Sequence, residues 1–259
     1  MLLAVDVGNT NITLGLFKGE NLMGSFRMTT KRPRTSDEYG VILKSMVESA
    51  RATFDDIDDV IVASVVPKVM HALVNSFRKY VRVEPFIVNY KAETGIKFVT
   101  ENPSQIGADR IVDSAAAFSI YGGPVIVIDY GTATTYDLIS KDGIFEACVI
   151  APGISISANA LWGEAAKLPE IEIKMPESIL GRETVTSMQA GLVYGQIGQT
   201  EYIVNQMKKE SKIKEPIKVV ATGGLGVIIA NETDVIDEYD PLLTLKGLQI
   251  LYEKNKDKM

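Results

Sequence analysis

The chain has 259 residues, 46% hydrophobic and 23% charged; its mean hydropathy of +0.10 is ample for packed cores, and the length allows one or two domains. A net charge of −6 and an isoelectric point near 5.0 leave no basic footprint, which argues against nucleic acid as the main partner. One cysteine, Cys148, and one histidine, His71, exclude an internal disulfide and a His/Cys zinc site within one chain.

Met1-Leu-Leu-Ala-Val runs directly into Asp6, so the N-terminus reads as a first strand and not as a signal peptide. No apolar run reaches membrane-spanning length, and a cytoplasmic protein is expected. Val5 to Leu22 reads as a β-hairpin, and Gly24 to Thr29 as a third strand. The Thr-Lys-Arg-Pro-Arg-Thr stretch at 30 to 35 is a loop, after which Ser36 and Asp37 offer N-cap chemistry to a helix carrying Tyr39, Ile42, Leu43, Met46 and Val47. Asp58 to Ser64 predicts a buried strand, Lys68 to Tyr80 a helix with His71 as a surface or packing residue, and Val83 to Val88 a strand. From Ser104 a helix carries Arg110 into the Ala-rich Val112 to Ile120. Val125 to Asp129 restarts the pattern with a hairpin, a strand in which Cys148 reads as a core residue, the Pro152-Gly153 turn, and helix from Ile154 to Ala166. Thr184 to Lys209 is a long helix whose Gly191, Gly195 and Gly198 imply close backbone approach, since each glycine costs roughly 1 kcal/mol relative to Ala. Ile217 to Ala221 is a strand, and Leu242 to Lys256 a closing helix. This succession describes an α/β protein with mixed sheets.

The two hairpins are copies. VDVGNTNITLGLFKGENL at Val5 to Leu22 recurs without a gap as IDYGTATTYDLISKDGIF at Ile128 to Phe145, an offset of 123 residues that sets Asp6 against Asp129 and Gly8 against Gly131. Each is an apolar strand ending in an acid, then a small turn rich in hydroxyls and amides. Backbone N–H groups in such turns, with Thr and Asn side chains, cradle anions. The carboxylate serves beside the phosphate by holding a cation or positioning a donor. Turn capping is the alternative role for each Asp taken alone. A third motif, Val219 to Gly226, runs an apolar strand into Thr222-Gly223-Gly224, where bare backbone admits a base or ribose; such a turn is also an ordinary strand-to-helix connection.

Two phosphate hairpins followed by a late glycine-rich turn resemble the acetate and sugar kinase, heat-shock ATPase and actin superfamily. That resemblance implies two duplicated actin-like (ribonuclease H-like) domains, with mixed β-sheets flanked by helices and a cleft between them for ATP. The first would span 1–117 and the second 118–259. Gly107-Ala108-Asp109-Arg110, Asp129 to Asp137, Pro152-Gly153-Ile154 and Arg182 to Gly195, together with Asp6 to Thr10, narrow the resemblance to the type III pantothenate kinase family. It implies ATP-dependent phosphorylation of pantothenate to 4′-phosphopantothenate, the first step of coenzyme A synthesis.

By similarity, Asp109 is the proton acceptor for the pantothenate hydroxyl, and Gly107, Ala108 and Arg110 belong to the same substrate-binding run. Asp6, Val7, Gly8, Asn9, Thr10, Asn11, Ile12 and Thr13 resemble ATP-binding positions, as does Thr132, and Gly223 and Gly224 fit the adenosine. Asp129 is similar to a monovalent cation ligand, for K+ or NH4+, with Mg2+ arriving on ATP. Thr184 resembles a pantothenate contact and also suits a helix N-cap. Family members often carry Tyr where alignment on Asn102-Pro103 places Thr100, so that contact falls to Thr100, to Phe98 or to another chain. The resemblance also implies a homodimer. The competing readings are a kinase or phosphatase acting on another small hydroxyl compound, and a non-catalytic regulatory accessory protein on the same fold.

Overall fold

The computed structural model describes residues 1–100 and 102–258. Its strands are Leu2–Val7 (β1), Asn11–Lys18 (β2), Asn21–Thr29 (β3), Asp59–Ser64 (β4), Phe86–Ile87 (β5), Lys97–Phe98 (β6), Val125–Tyr130 (β7), Ala133–Ile139 (β8), Ile144–Pro152 (β9), Lys218–Thr222 (β10) and Glu238–Tyr239 (β11). Its α-helices are Ser36–Ser49 (α1), Pro67–Ser76 (α2), Ala108–Tyr121 (α3), Ile154–Glu164 (α4), Thr184–Glu210 (α5), Gly226–Ala230 (α6) and Leu243–Asn255 (α7). No described helix is long and apolar enough to cross a membrane.

One unit comprises residues 1–116 and the stretch from Leu242 onward. β1 is apolar on both faces because both are covered. Leu3, Val5 and Val7 pack with Tyr39, Leu43 and Val47 of α1 and with Leu73 of α2. Leu2 and Ala4, pointing the other way as strand alternation requires, pack with Ile111, Val112 and Ala115 of α3 and with Leu245, Leu248 and Leu251 of α7. The sheet order is β3-β2-β1-β4-β5, antiparallel up to β1 and parallel beyond it.

The other unit is residues 117–241. Its strands repeat that order as β9-β8-β7-β10-β11, with the same directions. Ile126, Ile128 and Tyr130 of β7 and Val219 and Ala221 of β10 pack with Met188, Val193 and Ile197 of α5 and Ile154 of α4.

The duplication is visible in the irregularities as well. β2 shifts register between Leu16 and Phe17, and β8 between Leu138 and Ile139, at matching positions of the two hairpins. The gapless sequence repeat nevertheless conceals a difference of one residue. Asp6 faces Thr13 in the first hairpin and Asp129 faces Thr135 in the second, so the connecting turn is Gly8 to Asn11 in one and Gly131 to Ala133 in the other. A one-residue change in register exchanges the faces of a strand. Thus Thr135, and not the sequence-aligned Tyr136, stands opposite the second acid.

Several elements differ from the sequence reading. α7 was expected to close the second domain, but its apolar stripe packs on the first unit, where Gly247 lets its backbone approach Val112 and Ala116; a Cβ there would lie 2.6 Å from Val112 Cγ1. The N-cap of α1 is Thr35 rather than Ser36 or Asp37, and it forms a reciprocal box with Glu38. The helix expected from Ser104 begins at Ala108, after a 3-10 turn at Pro103–Gln105. Cys148 is exposed, because β9 has only one face toward a core. Gly191, Gly195 and Gly198 meet no atom within 4 Å of a built Cβ, so packing within the described chain is not what they serve.

Candidate active site

In the first unit the site grows from the carboxyl ends of β1 and β4, where parallel strands of open α/β sheets present ligands. Asp6 ends the face of β1 that carries Leu2 and Ala4, and its register partner on β4 is Ala63. Ala63 packs in the same cluster as Ala108, the first residue of α3. The sheet and the helix therefore bring Asp6 and Asp109 to one end of one face. Gly107 is required at the junction. A Cβ there would collide with Asp109 Oδ1 and lie 3.2 Å from Val65 Cγ1. Val65 is itself tied to β1 by its N–H donating to the Val7 carbonyl at 3.1 Å.

Asp109 stands in the first turn of α3, half-buried, with Oδ1 accepting the Arg110 backbone N–H at 2.7 Å. Burial pushes its carboxyl above the ordinary carboxylate range, partly offset by that N–H and by the Arg110 charge. A carboxylate made more basic and held in one rotamer is suited to accept a proton. Thr100 is half-buried, and its hydroxyl has no hydrogen-bond partner among the described residues.

The tip between β1 and β2 is held from β3. Gly8 N–H donates to the Asn11 carbonyl at 3.0 Å, Thr30 N–H to the Thr10 carbonyl at 2.9 Å, and the Thr30 hydroxyl to the Gly8 carbonyl at 2.7 Å. Asn9 and Thr10 are exposed at the tip, whereas Val7 and Ile12 are fully buried, leaving those two only main-chain atoms to offer a ligand.

In the second unit Asp129 lies across from Thr135 on β8 and Thr222 on β10, both buried. Two glycines make room for its carboxylate: a Cβ on Gly131 would sit 2.9 Å from Oδ2, and one on Gly223 2.7 Å from Oδ1. Gly223 also has φ of +96° and would strike the Tyr130 carbonyl at 2.6 Å, while its own carbonyl accepts the Tyr239 hydroxyl at 2.7 Å. Gly153 closes the tip, its N–H donating to the Thr132 carbonyl at 3.2 Å; a Cβ there would collide with that same oxygen. A carboxylate, two threonines and close main-chain oxygens form a donor set that fits a hard cation.

Thr184 is the first residue of α5 and does not cap it. The N-cap is Glu183, whose N–H donates to the Thr186 hydroxyl oxygen at 3.3 Å. Thr184 is exposed on a cavity of about 700 Å³ lined by Leu161, Arg182, Glu183, Met188 and Gly191 among others. Thr30 and Thr135 were missed by the sequence reading, which named Thr222 only as part of the glycine-rich turn. Continuing the 123-residue offset past the hairpins sets Thr30 against Gly153, which is the signal that would have found the first of them.

A family model described as type III pantothenate kinase matches residues 2–206. The chain belongs to the type III pantothenate kinase family. The kinase transfers a phosphoryl group from ATP, which carries a divalent metal, to pantothenate, the reaction that opens coenzyme A biosynthesis. It is 59% identical over 258 residues to a type III pantothenate kinase of Agathobacter rectalis, covering 100% of this chain and 99% of that one. Among solved structures, the kinase is similar to a putative Baf family transcriptional activator from Campylobacter jejuni (TM-score 0.60, 21% identity, 98% of this chain and 99% of that one). It is also similar to a putative 2-dehydro-3-deoxygalactonokinase from Sinorhizobium meliloti (TM-score 0.57, 13% identity, 98% of each chain). At such identities these two likenesses concern the fold, which is that of the actin-like ATPases and sugar kinases.

Proposed function

We propose that Asp109 is the proton acceptor of the reaction and that Gly107, Ala108, Arg110, Thr184 and Thr100 bind pantothenate. The observation that carries this reading is the Asp109 carboxyl itself: raised by burial, fixed by the Arg110 N–H, and given its space by Gly107. As the pantothenate hydroxyl oxygen bonds to the γ-phosphorus, its proton passes to the Asp109 carboxylate and ADP leaves with the electrons of the broken P–O bond. Arg110 supplies a cation for the pantothenate carboxylate. The unpartnered Thr100 hydroxyl supports a substrate contact at that position.

ATP is bound by Asp6, Val7, Gly8, Asn9, Thr10, Asn11, Ile12 and Thr13, by Thr132, and by Gly223 and Gly224, with Val7 and Ile12 acting through main chain only. Asp129, with Thr135 and Thr222 beside it, holds a monovalent cation, K+ or NH4+. When bound, that cation and the Mg2+ on ATP shield phosphate charge. The protein acts in the cytoplasm as a homodimer. Support for the dimer comes from the face of α5 that carries Gly191, Gly195 and Gly198, together with Tyr202 at 68% exposure: no described residue covers the glycines, and small residues let a second helix approach. Gly195→Arg is expected to yield monomers in sedimentation; an unchanged dimer would reject this face.

The deciding experiment is Asp109→Asn. Its kcat should fall by about 10³-fold with folding retained, since general-base contributions run to that order. The folded pKa of Asp109 lies above its unfolded value, so the group destabilises the fold above the folded pKa and ceases to do so below the unfolded one. Asp109→Asn should therefore be more thermostable than the parent at pH 7, the gap closing below about pH 4. Full turnover in that variant would end the assignment.

A further inference from the structure

The link between β3 and α1 is ordered at both ends. At one end Thr30 bonds the Thr10 and Gly8 carbonyls, and at the other Thr35 and Glu38 close the capping box. Lys31, Arg32, Pro33 and Arg34 lie between them. Arg34 is committed to the loop: its Nη1 donates to the Thr29 carbonyl at 2.7 Å and the Arg32 carbonyl at 3.4 Å, and its guanidinium lies 5.8 Å from the Tyr39 ring centre. Lys31 and Arg32 are exposed, and among the described residues neither side chain has an ion pair or a hydrogen bond. A chain of net charge −6 thus keeps two uncompensated cations within two residues of the threonine that braces the Gly8–Thr10 tip. The second unit has nothing comparable, since Pro152-Gly153 leads straight into α4.

We propose that Lys31 and Arg32 are binding residues for the polyphosphate of ATP held at the Gly8–Thr10 tip. This rests on the reading of that tip as a nucleotide site. The braced main chain presents both cations without a large ordering cost, and charge-assisted contacts to phosphate oxygens strengthen as the negative charge of the ligand increases.

The test is the double variant Lys31→Ala/Arg32→Ala in the full chain. KM for ATP should rise about tenfold or more, in keeping with the loss of hydrogen bonds to a charged group. KM for pantothenate, thermal stability and adenosine binding should stay at parental values, ADP binding should weaken less than ATP binding, and the salt dependence of ATP binding should flatten. Lys31→Arg/Arg32→Lys should retain most of the affinity. An unchanged KM for ATP, or a rise confined to pantothenate, would overturn the proposal. Asn9→Asp separates the two levels of failure by placing a negative charge on the tip. If Asn9→Asp weakens ATP and the double alanine variant does not, only the loop assignment falls; if neither does, the tip is not the nucleotide site.

Discussion

The hairpin tips at Gly8 and Gly131 descend from one sequence pattern and occupy the same place in matching sheets, yet they are built for different loads. The first is a four-residue turn, Gly8 to Asn11, tied down by the Thr30 hydroxyl and N–H, with a basic loop following it. The second is a residue shorter, is closed by Gly153, and packs its acid between two glycines with buried threonines on either side. Crowding around an acid and openness around a tip are alternative uses of one scaffold. An acid set between Gly131 and Gly223 with buried threonines across from it suits a cation, whereas the exposed Asn9 and Thr10 suit a phosphate.

Substitutions at the two glycine positions should show the largest contrast. Gly223→Ala puts a Cβ 2.6 Å from the Tyr130 carbonyl at a φ of +96° and should cost about 3 kcal/mol in denaturant unfolding. Gly8→Ala meets only the Asn11 carbonyl at 3.3 Å and should cost below about 1 kcal/mol while still impairing ATP affinity. Equal destabilisation would erase the distinction between crowded and open tips. The acids should also separate in the assay. Asp129→Asn should abolish stimulation by K+ or NH4+ and lower kcat by about 10²-fold, a loss of the order of one electrostatic stabiliser of the transition state, whereas Asp6→Asn should leave the cation response in place and raise KM for ATP. Interchanged behaviour would reverse the roles assigned to the two copies. A comparably small effect is expected of Thr30→Ala, which removes the 2.7 Å bond to the Gly8 carbonyl and should cost about 1 kcal/mol, with a matching loss of ATP affinity. Unaltered affinity there would mean that the tip needs no brace.

Much of the site is legible in the chain because its parts are local. Asp6 and Gly8, Asp129 and Gly131, and Gly107 with Asp109 each lie within three residues, and strand-turn or turn-helix geometry follows from such spacing. The partners contributed from elsewhere are not legible in that way. Thr30 reaches the Gly8 carbonyl from the end of β3, Val65 bounds Gly107 from the end of β4, and Thr222 flanks Asp129 from β10. Thr135 was hidden by the gapless alignment itself, which matched Tyr136 to Thr13.

By itself the sequence determined the duplication, the continuous apolar runs that bury both faces of β1 and β7, and the acids and glycines at the strand ends, since these depend on composition, period and near-neighbour geometry. Tertiary structure alone decided the one-residue register difference between hairpins, the docking of α7 on the first unit, the exposure of Cys148, and the open face of the α5 glycines. Each of these depends on which distant surface covers a residue, and apolar burial is non-directional: a stripe of leucines states that it must be covered without stating by what.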